Sequence, residues 1–96
     1  MLSLFIIDDE PMVCELIKSL IDFDGLQIEL NGVFQNGVDA LEKILAEKPD
    51  IVITDIKMPG ISGLEMIKKC RENNIKSHFI IVSGYQEFEY AKQAIE

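Results

Sequence analysis

Three runs of four residues, Leu4-Phe5-Ile6-Ile7, Ile51-Val52-Ile53-Thr54 and Phe79-Ile80-Ile81-Val82, constrain this chain most. Each is apolar or β-branched throughout, too short for a helix, and bounded by polar or turn-forming residues, as expected of a strand buried on both faces. Between them the apolar period changes from continuous to helical, which marks βα units and a parallel sheet rather than separate all-helical or all-β regions.

The first run stops at Asp8-Asp9, and Pro11 then opens a stripe of Val13, Leu16, Ile17, Leu20 and Ile21 at helical spacing, with an expected end near Asp24-Gly25. Leu26, Ile28 and Leu30 alternate with Gln27, Glu29 and Asn31, the pattern of a less buried strand at a sheet edge. Asn36 can cap a second helix with Val38, Leu41, Ile44 and Leu45 on one face, stopped by Lys48-Pro49. Ser62 with Glu65 three positions on is a capping-box signature for a third helix, whose buried face reads Leu64, Ile67 and Cys70 and which ends at Asn73-Asn74. After the fourth strand, Ser83-Gly84 leads to a fourth helix carrying Phe88, Ala91 and Ile95.

Ninety-six residues suit one domain with a modest core, and 48% apolar with 27% charged residues is globular composition. Nine Lys and Arg against seventeen Asp and Glu leave a net charge of −8, which argues against nucleic-acid binding by this segment. No apolar run approaches a membrane span and the N-terminus lacks the features of a signal peptide, so a cytoplasmic chain is expected. Cys14 and Cys70 lie far apart with no partner at metal-ligand spacing and read as reduced thiols, not zinc ligands.

In an open parallel sheet a ligand site lies beyond the carboxyl ends of the strands, where strand order reverses. Asp8 and Asp9 leave the first strand at that edge and Asp55 leaves the third, so the order 2-1-3-4 would gather three carboxylates within a few ångströms. Two unit charges ~4 Å apart repel by about 4 kcal/mol at an effective dielectric near 20, so either protons are taken up or a cation sits among them. Oxygen ligands with room for water favour Mg²⁺ over Zn²⁺ or copper, and the binding is expected to be weak. The plainer reading is that Asp8 and Asp9 cap the first helix and Asp55 forms a turn; the register of Asp55 with the pair favours a site. Ser83 ends the fourth strand, where a hydroxyl could donate to a bound phosphoryl oxygen.

Ile6-Ile7-Asp8-Asp9-Glu10-Pro11, the segment 54–63 (TDIKMPGISG) and Val82-Ser83-Gly84-Tyr85 resemble the three signatures of the receiver domain of two-component response regulators, from end to end of the chain. The resemblance implies a flavodoxin-like, doubly wound α/β fold of order 2-1-3-4, with residues 1–96 a receiver domain that stops before the family's fifth strand and helix. It implies Asp55 as phosphate acceptor, Mg²⁺ held by Asp8, Asp9, Asp55 and the Lys57 backbone carbonyl, and Ser83 as switch hydroxyl. A sensor histidine kinase is the implied phosphate donor. The output implied is transcriptional, through a separate DNA-binding effector domain, with the receiver acting as a signalling module and not an enzyme.

The family's fifth-strand Lys is not in this chain, so a receiver-like interaction module that never takes up phosphate is the competing reading. A flavodoxin-like flavin binder would need a Ser-, Thr- and Gly-rich loop where this chain has Asp-Asp-Glu-Pro. A haloacid-dehalogenase phosphatase would need Asp-x-Asp after its first strand, and Asp55-Ile56-Lys57 puts a cation at the second acid. Without a fifth unit, the fourth strand and one sheet face should stay exposed, so the chain is expected to self-associate as a homodimer or domain-swapped oligomer, or to be marginally folded.

Overall fold

A computed structural model describes residues 1–82. Ser83, the Gly84-Tyr85 turn and the expected fourth helix with Phe88, Ala91 and Ile95 lie outside the described residues. The elements in chain order are β1 (Leu2–Ile7), α1 (Pro11–Leu20), α2 (Phe23–Leu26), β2 (Ile28–Phe34), α3 (Gly37–Glu47), β3 (Ile51–Thr54), α4 (Gly63–Glu72) and β4 (His78–Ile81). The strands form one parallel sheet of order β2-β1-β3-β4, as the sequence leads one to expect.

Two apolar clusters lie against the sheet. Phe5, Ile7 and Val52 pack with Ala40 and Ile44 of α3, Met66 and Cys70 of α4, and Ile75. Leu4, Ile6 and Ile53 pack with Cys14, with Ile17, Ile21 and Phe23 partly buried against them. The alternation of β1 and β3 thus places α3 and α4 on one face and α1 with α2 on the other. Both cysteines are free and buried; burial raises the Cys14 thiol pKa and pushes that of Cys70 up to about 11, so both stay protonated and inert.

Several details differ from the sequence reading. Helix α1 does not run on to Gly25: it stops at Leu20, and Asp22 begins the separate turn α2 by accepting from Gly25 N–H at 3.0 Å. Leu16 (58% exposed) and Leu20 (75%) therefore sit off the buried stripe, which runs through Cys14 and Ile17. Leu26 belongs to α2 and not to the second strand.

Strand β2 is an edge strand, but its alternation conceals a register shift: Leu4 faces Leu30 and Phe5 faces Gly32, leaving Asn31 as an extra residue. Ile28 and Leu30 consequently pack on the α1 face, whereas Phe34 packs on the other, its ring centroid 5.1 Å from that of Phe5. Asn36 and Ser62 cap α3 and α4 as expected, accepting from Asp39 N–H at 2.8 Å and Glu65 N–H at 3.1 Å. Val38 is exposed and Ala40 takes its place in the core, while in α4 the fully buried positions are Gly63, Met66 and Cys70, with Leu64 and Ile67 at the margins. Strand β4 begins at His78 and is not buried on both faces: Ile80, in register with Ile53 on the α1 face, is 51% exposed.

Candidate acidic site at the ends of β1 and β3

The parallel pairing of β1 with β3 ends on Ile7 opposite Thr54, so the next residues, Asp8 and Asp55, emerge side by side. Backbone bonds extend that register past the strands: Asp55 N–H donates to Ile7 O at 3.0 Å and Asp8 N–H to Phe34 O at 3.0 Å. This is the point where strand order reverses around β1, the expected ligand position of such sheets. One ligand oxygen from each of Asp8, Asp9 and Asp55 can be chosen so that all lie within 4.8 Å of one another. Asp8 is buried, Asp55 half-buried and Asp9 exposed, so the cluster opens to solvent on the Asp9 side.

Asp8 does not simply cap α1. Its Oδ1 accepts from Glu10 N–H at 2.9 Å in a local turn, and the helix N-cap itself is Glu10, which makes no side-chain cap. Pro11 at the first helical position has no N–H to satisfy, so the helix tolerates this weak start. Burial pushes the Asp8 carboxyl above its usual range; the Glu10 N–H pulls it back, and the charges of Asp55 and Asp9 push it up again. Three oxygen ligands under mutual repulsion, one of them buried, fit a hard divalent cation with room for water.

The loop after β3 is fastened at several points. Ile56 N–H donates to Asp55 Oδ1 at 2.7 Å, and the Thr54 hydroxyl donates to Asp55 O at 2.9 Å. Gly63 N–H donates to Ile56 O at 2.7 Å, bringing the start of α4 against the acidic loop so closely that a Cβ on Gly63 would lie 2.1 Å from Asp55 O. Gly60 turns this loop with φ +88°, a left-handed conformation suited to glycine. Lys57 is exposed in the same loop. The structure thus brings together Asp8, Asp9 and Asp55, and it adds Thr54 and Gly63, which the sequence reading passed over. Thr54 carried a signal in being a hydroxyl residue that ends an apolar strand; Gly63 carried one in opening a helix that Ser62 already capped.

A family model for the response regulator receiver domain matches residues 4–96. YesN of Bacillus subtilis, an uncharacterized transcriptional regulatory protein, is 44% identical over 96 residues, which are 100% of this chain and 26% of that protein. The transcriptional regulatory protein HptR of Staphylococcus aureus is 32% identical over 96 residues, 100% of this chain and 37% of that protein. The chain therefore spans well under two thirds of these curated relatives. Among solved structures, the REC domain of AraT, a response regulator from Geobacillus stearothermophilus, matches with a TM-score of 0.88 at 35% identity, over 98% of this chain and 73% of that one. A two component transcriptional regulator from Clostridium phytofermentans matches with a TM-score of 0.90 at 27% identity, over 100% of this chain and 74% of that one.

Proposed function

The chain belongs to the response regulator receiver domain family, and from that premise we propose that it accepts a phosphoryl group on Asp55 from a sensor histidine kinase. The observation that carries this is the meeting of Asp8, Asp9 and Asp55 at the switch point of the sheet. In the proposal Asp8, Asp9, Asp55 and the Lys57 backbone carbonyl hold Mg²⁺, with Asp8 the most buried of the acids. Bound there, the ion supplies charge neutralisation for a phosphoryl group that a carboxylate would otherwise repel. Asp55, half-buried and half-open, presents its carboxylate to an incoming donor, while Asp9 keeps the approach polar.

Ser83 is proposed as the switch hydroxyl that senses the new oxygens. The phosphoryl group then biases a two-state surface instead of being turned over, which is a signalling role and not that of an enzyme. The names of YesN and HptR support a transcriptional output through a DNA-binding segment outside residues 1–96. The net charge of −8 keeps nucleic acid away from this segment itself. No helix among the described residues is long and apolar enough to cross a membrane; a cytoplasmic location is part of the proposal.

Incubation with acetyl phosphate and Mg²⁺, followed by intact mass, tests the reading. An adduct of one phosphoryl group is expected, and no adduct at all favours the receiver-like interaction module. Self-association is proposed as well, because Ile80 and Val82 leave apolar surface open beside β4 (51% and 38% exposed). Size exclusion with light scattering is expected to show dimers or larger species of the 96-residue chain; a monodisperse monomer with a sharp high-temperature transition would contradict it.

A further inference from the structure

Thr54 ends β3 after three apolar residues and is 1% exposed. A valine would have the same shape and strand preference with no hydroxyl to satisfy, so the hydroxyl needs a reason. It donates to Asp55 O at 2.9 Å. The other half of the same peptide, Ile56 N–H, donates to Asp55 Oδ1 at 2.7 Å. Because a peptide group is planar, its carbonyl and N–H turn together, so a bond that fixes one fixes the other. Upstream the strand is already anchored, by Asp55 N–H on Ile7 O at 3.0 Å and Val82 N–H on Thr54 O at 2.9 Å. The peptide between residues 55 and 56 is where the ladder ends and where rotation would re-aim the carboxylate.

We propose that Thr54 is a positioning residue for phosphoryl transfer: its hydroxyl locks the 55–56 peptide, and the Ile56 N–H of that peptide aims the Asp55 carboxylate. The inference rests on the reading of Asp55 as acceptor. In the step, a carboxylate oxygen of Asp55 forms a bond to phosphorus while the bond from phosphorus to the acyl oxygen of acetyl phosphate breaks. The bonding pair leaves with acetate, and no proton or external electron is required. An acceptor that must lie in line loses rate when its direction is no longer fixed, even if it is still present and ionised.

The experiment compares wild type with Thr54→Val and Thr54→Ser in the rate of phosphoryl adduct formation at saturating acetyl phosphate and Mg²⁺. Thermal unfolding and the Ile56 amide signal in NMR are recorded alongside. Thr54→Val is expected to melt close to wild type, to shift the Ile56 amide upfield, and to lose roughly tenfold in rate. Thr54→Ser keeps the hydroxyl and is expected to stay within about twofold of the wild-type rate, although losing the methyl lowers its stability. If valine prevents folding, Thr54→Ala replaces it, since alanine and serine differ there only by the hydroxyl. A valine or alanine variant at the wild-type rate, or a serine variant as slow as valine, overturns the positioning role while leaving the acceptor reading intact. A wild-type protein that takes up no phosphoryl group overturns both.

Discussion

Gly63→Ala is expected to cost at least ~3 kcal/mol of stability, lowering the melting temperature by roughly 10–20 °C for a domain of this size. The added Cβ would lie 2.1 Å from Asp55 O, 3.1 Å from the carbonyl carbon and 3.3 Å from Ile56 Cα. All three are backbone atoms of a loop that is tied to α4 by the Gly63 N–H bond to Ile56 O. No rotamer change relieves such a contact, so either the helix start or the acidic loop must move. Gly25→Ala is the informative control, because its Cβ would also meet an atom at 2.1 Å, the Asp22 Oδ2 of a flexible and exposed side chain. That carboxylate can swing away at the cost of one cap, about 1 kcal/mol. Urea unfolding of the two variants separates them; equal losses would mean that the acidic loop yields as easily as a surface side chain.

Asp8→Asn is expected to stabilise the metal-free protein while weakening both its stabilisation by Mg²⁺ and its uptake of phosphoryl groups. The folded-state pKa of Asp8 lies above its ordinary value, mainly through burial, with the charges of Asp55 and Asp9 adding to it. A raised carboxyl pKa means that the folded state binds the proton more tightly than the unfolded one. Stability of the metal-free protein therefore falls as pH rises from the unfolded through the folded pKa. Asparagine removes the charge while keeping an Oδ1 to accept from Glu10 N–H, so the metal-free variant should be more stable than wild type at pH values above the folded pKa of Asp8. Saturating Mg²⁺, at ~100 times its dissociation constant, should stabilise wild type by about 2.7 kcal/mol and the variant by much less. Phosphoryl uptake should fall by roughly two orders of magnitude or more, since metal neutralisation of the reacting charge is worth several kcal/mol. Unfolding curves with and without Mg²⁺ read the first two effects. A variant no more stable than wild type without metal, and equally stabilised with it, would remove Asp8 from the site.

The convergence of Asp8 with Asp55 was legible because it depends on coarse features: two buried runs that end in acids and a parallel order that sets them side by side. Capping was legible for the same kind of reason, since Asn36 and Ser62 each act on a backbone N–H three residues away. Features that depend on distant partners were not. The extra residue Asn31 leaves the alternation of β2 undisturbed, so nothing local shows that Leu30 and Phe34 serve opposite faces. The end of α1 was missed for a local reason instead: its apolar period continues through Ile21 and Phe23, although the helix stops at Leu20 and the Gly25 N–H bond to Asp22 starts a separate turn. Leu16 and Leu20 share that period with the buried stripe but lie off the sheet-facing side once the helix is docked. Gly63 matters because of a carbonyl eight residues earlier in the chain, and Thr54 because of a peptide plane, and neither is visible as spacing.

Intact mass after incubation with acetyl phosphate decides whether Asp55 is the acceptor in a divalent-dependent site. Wild type and Asp55→Asn are compared, each with Mg²⁺ and with a chelator. Asparagine keeps an oxygen for Ile56 N–H and removes like charge from Asp8 and Asp9, so the variant should fold at least as stably as wild type. One phosphoryl adduct is expected on wild type with Mg²⁺, little with chelator, and none on Asp55→Asn. An adduct that survives Asp55→Asn unchanged, or that forms equally well without a divalent ion, would contradict this assignment.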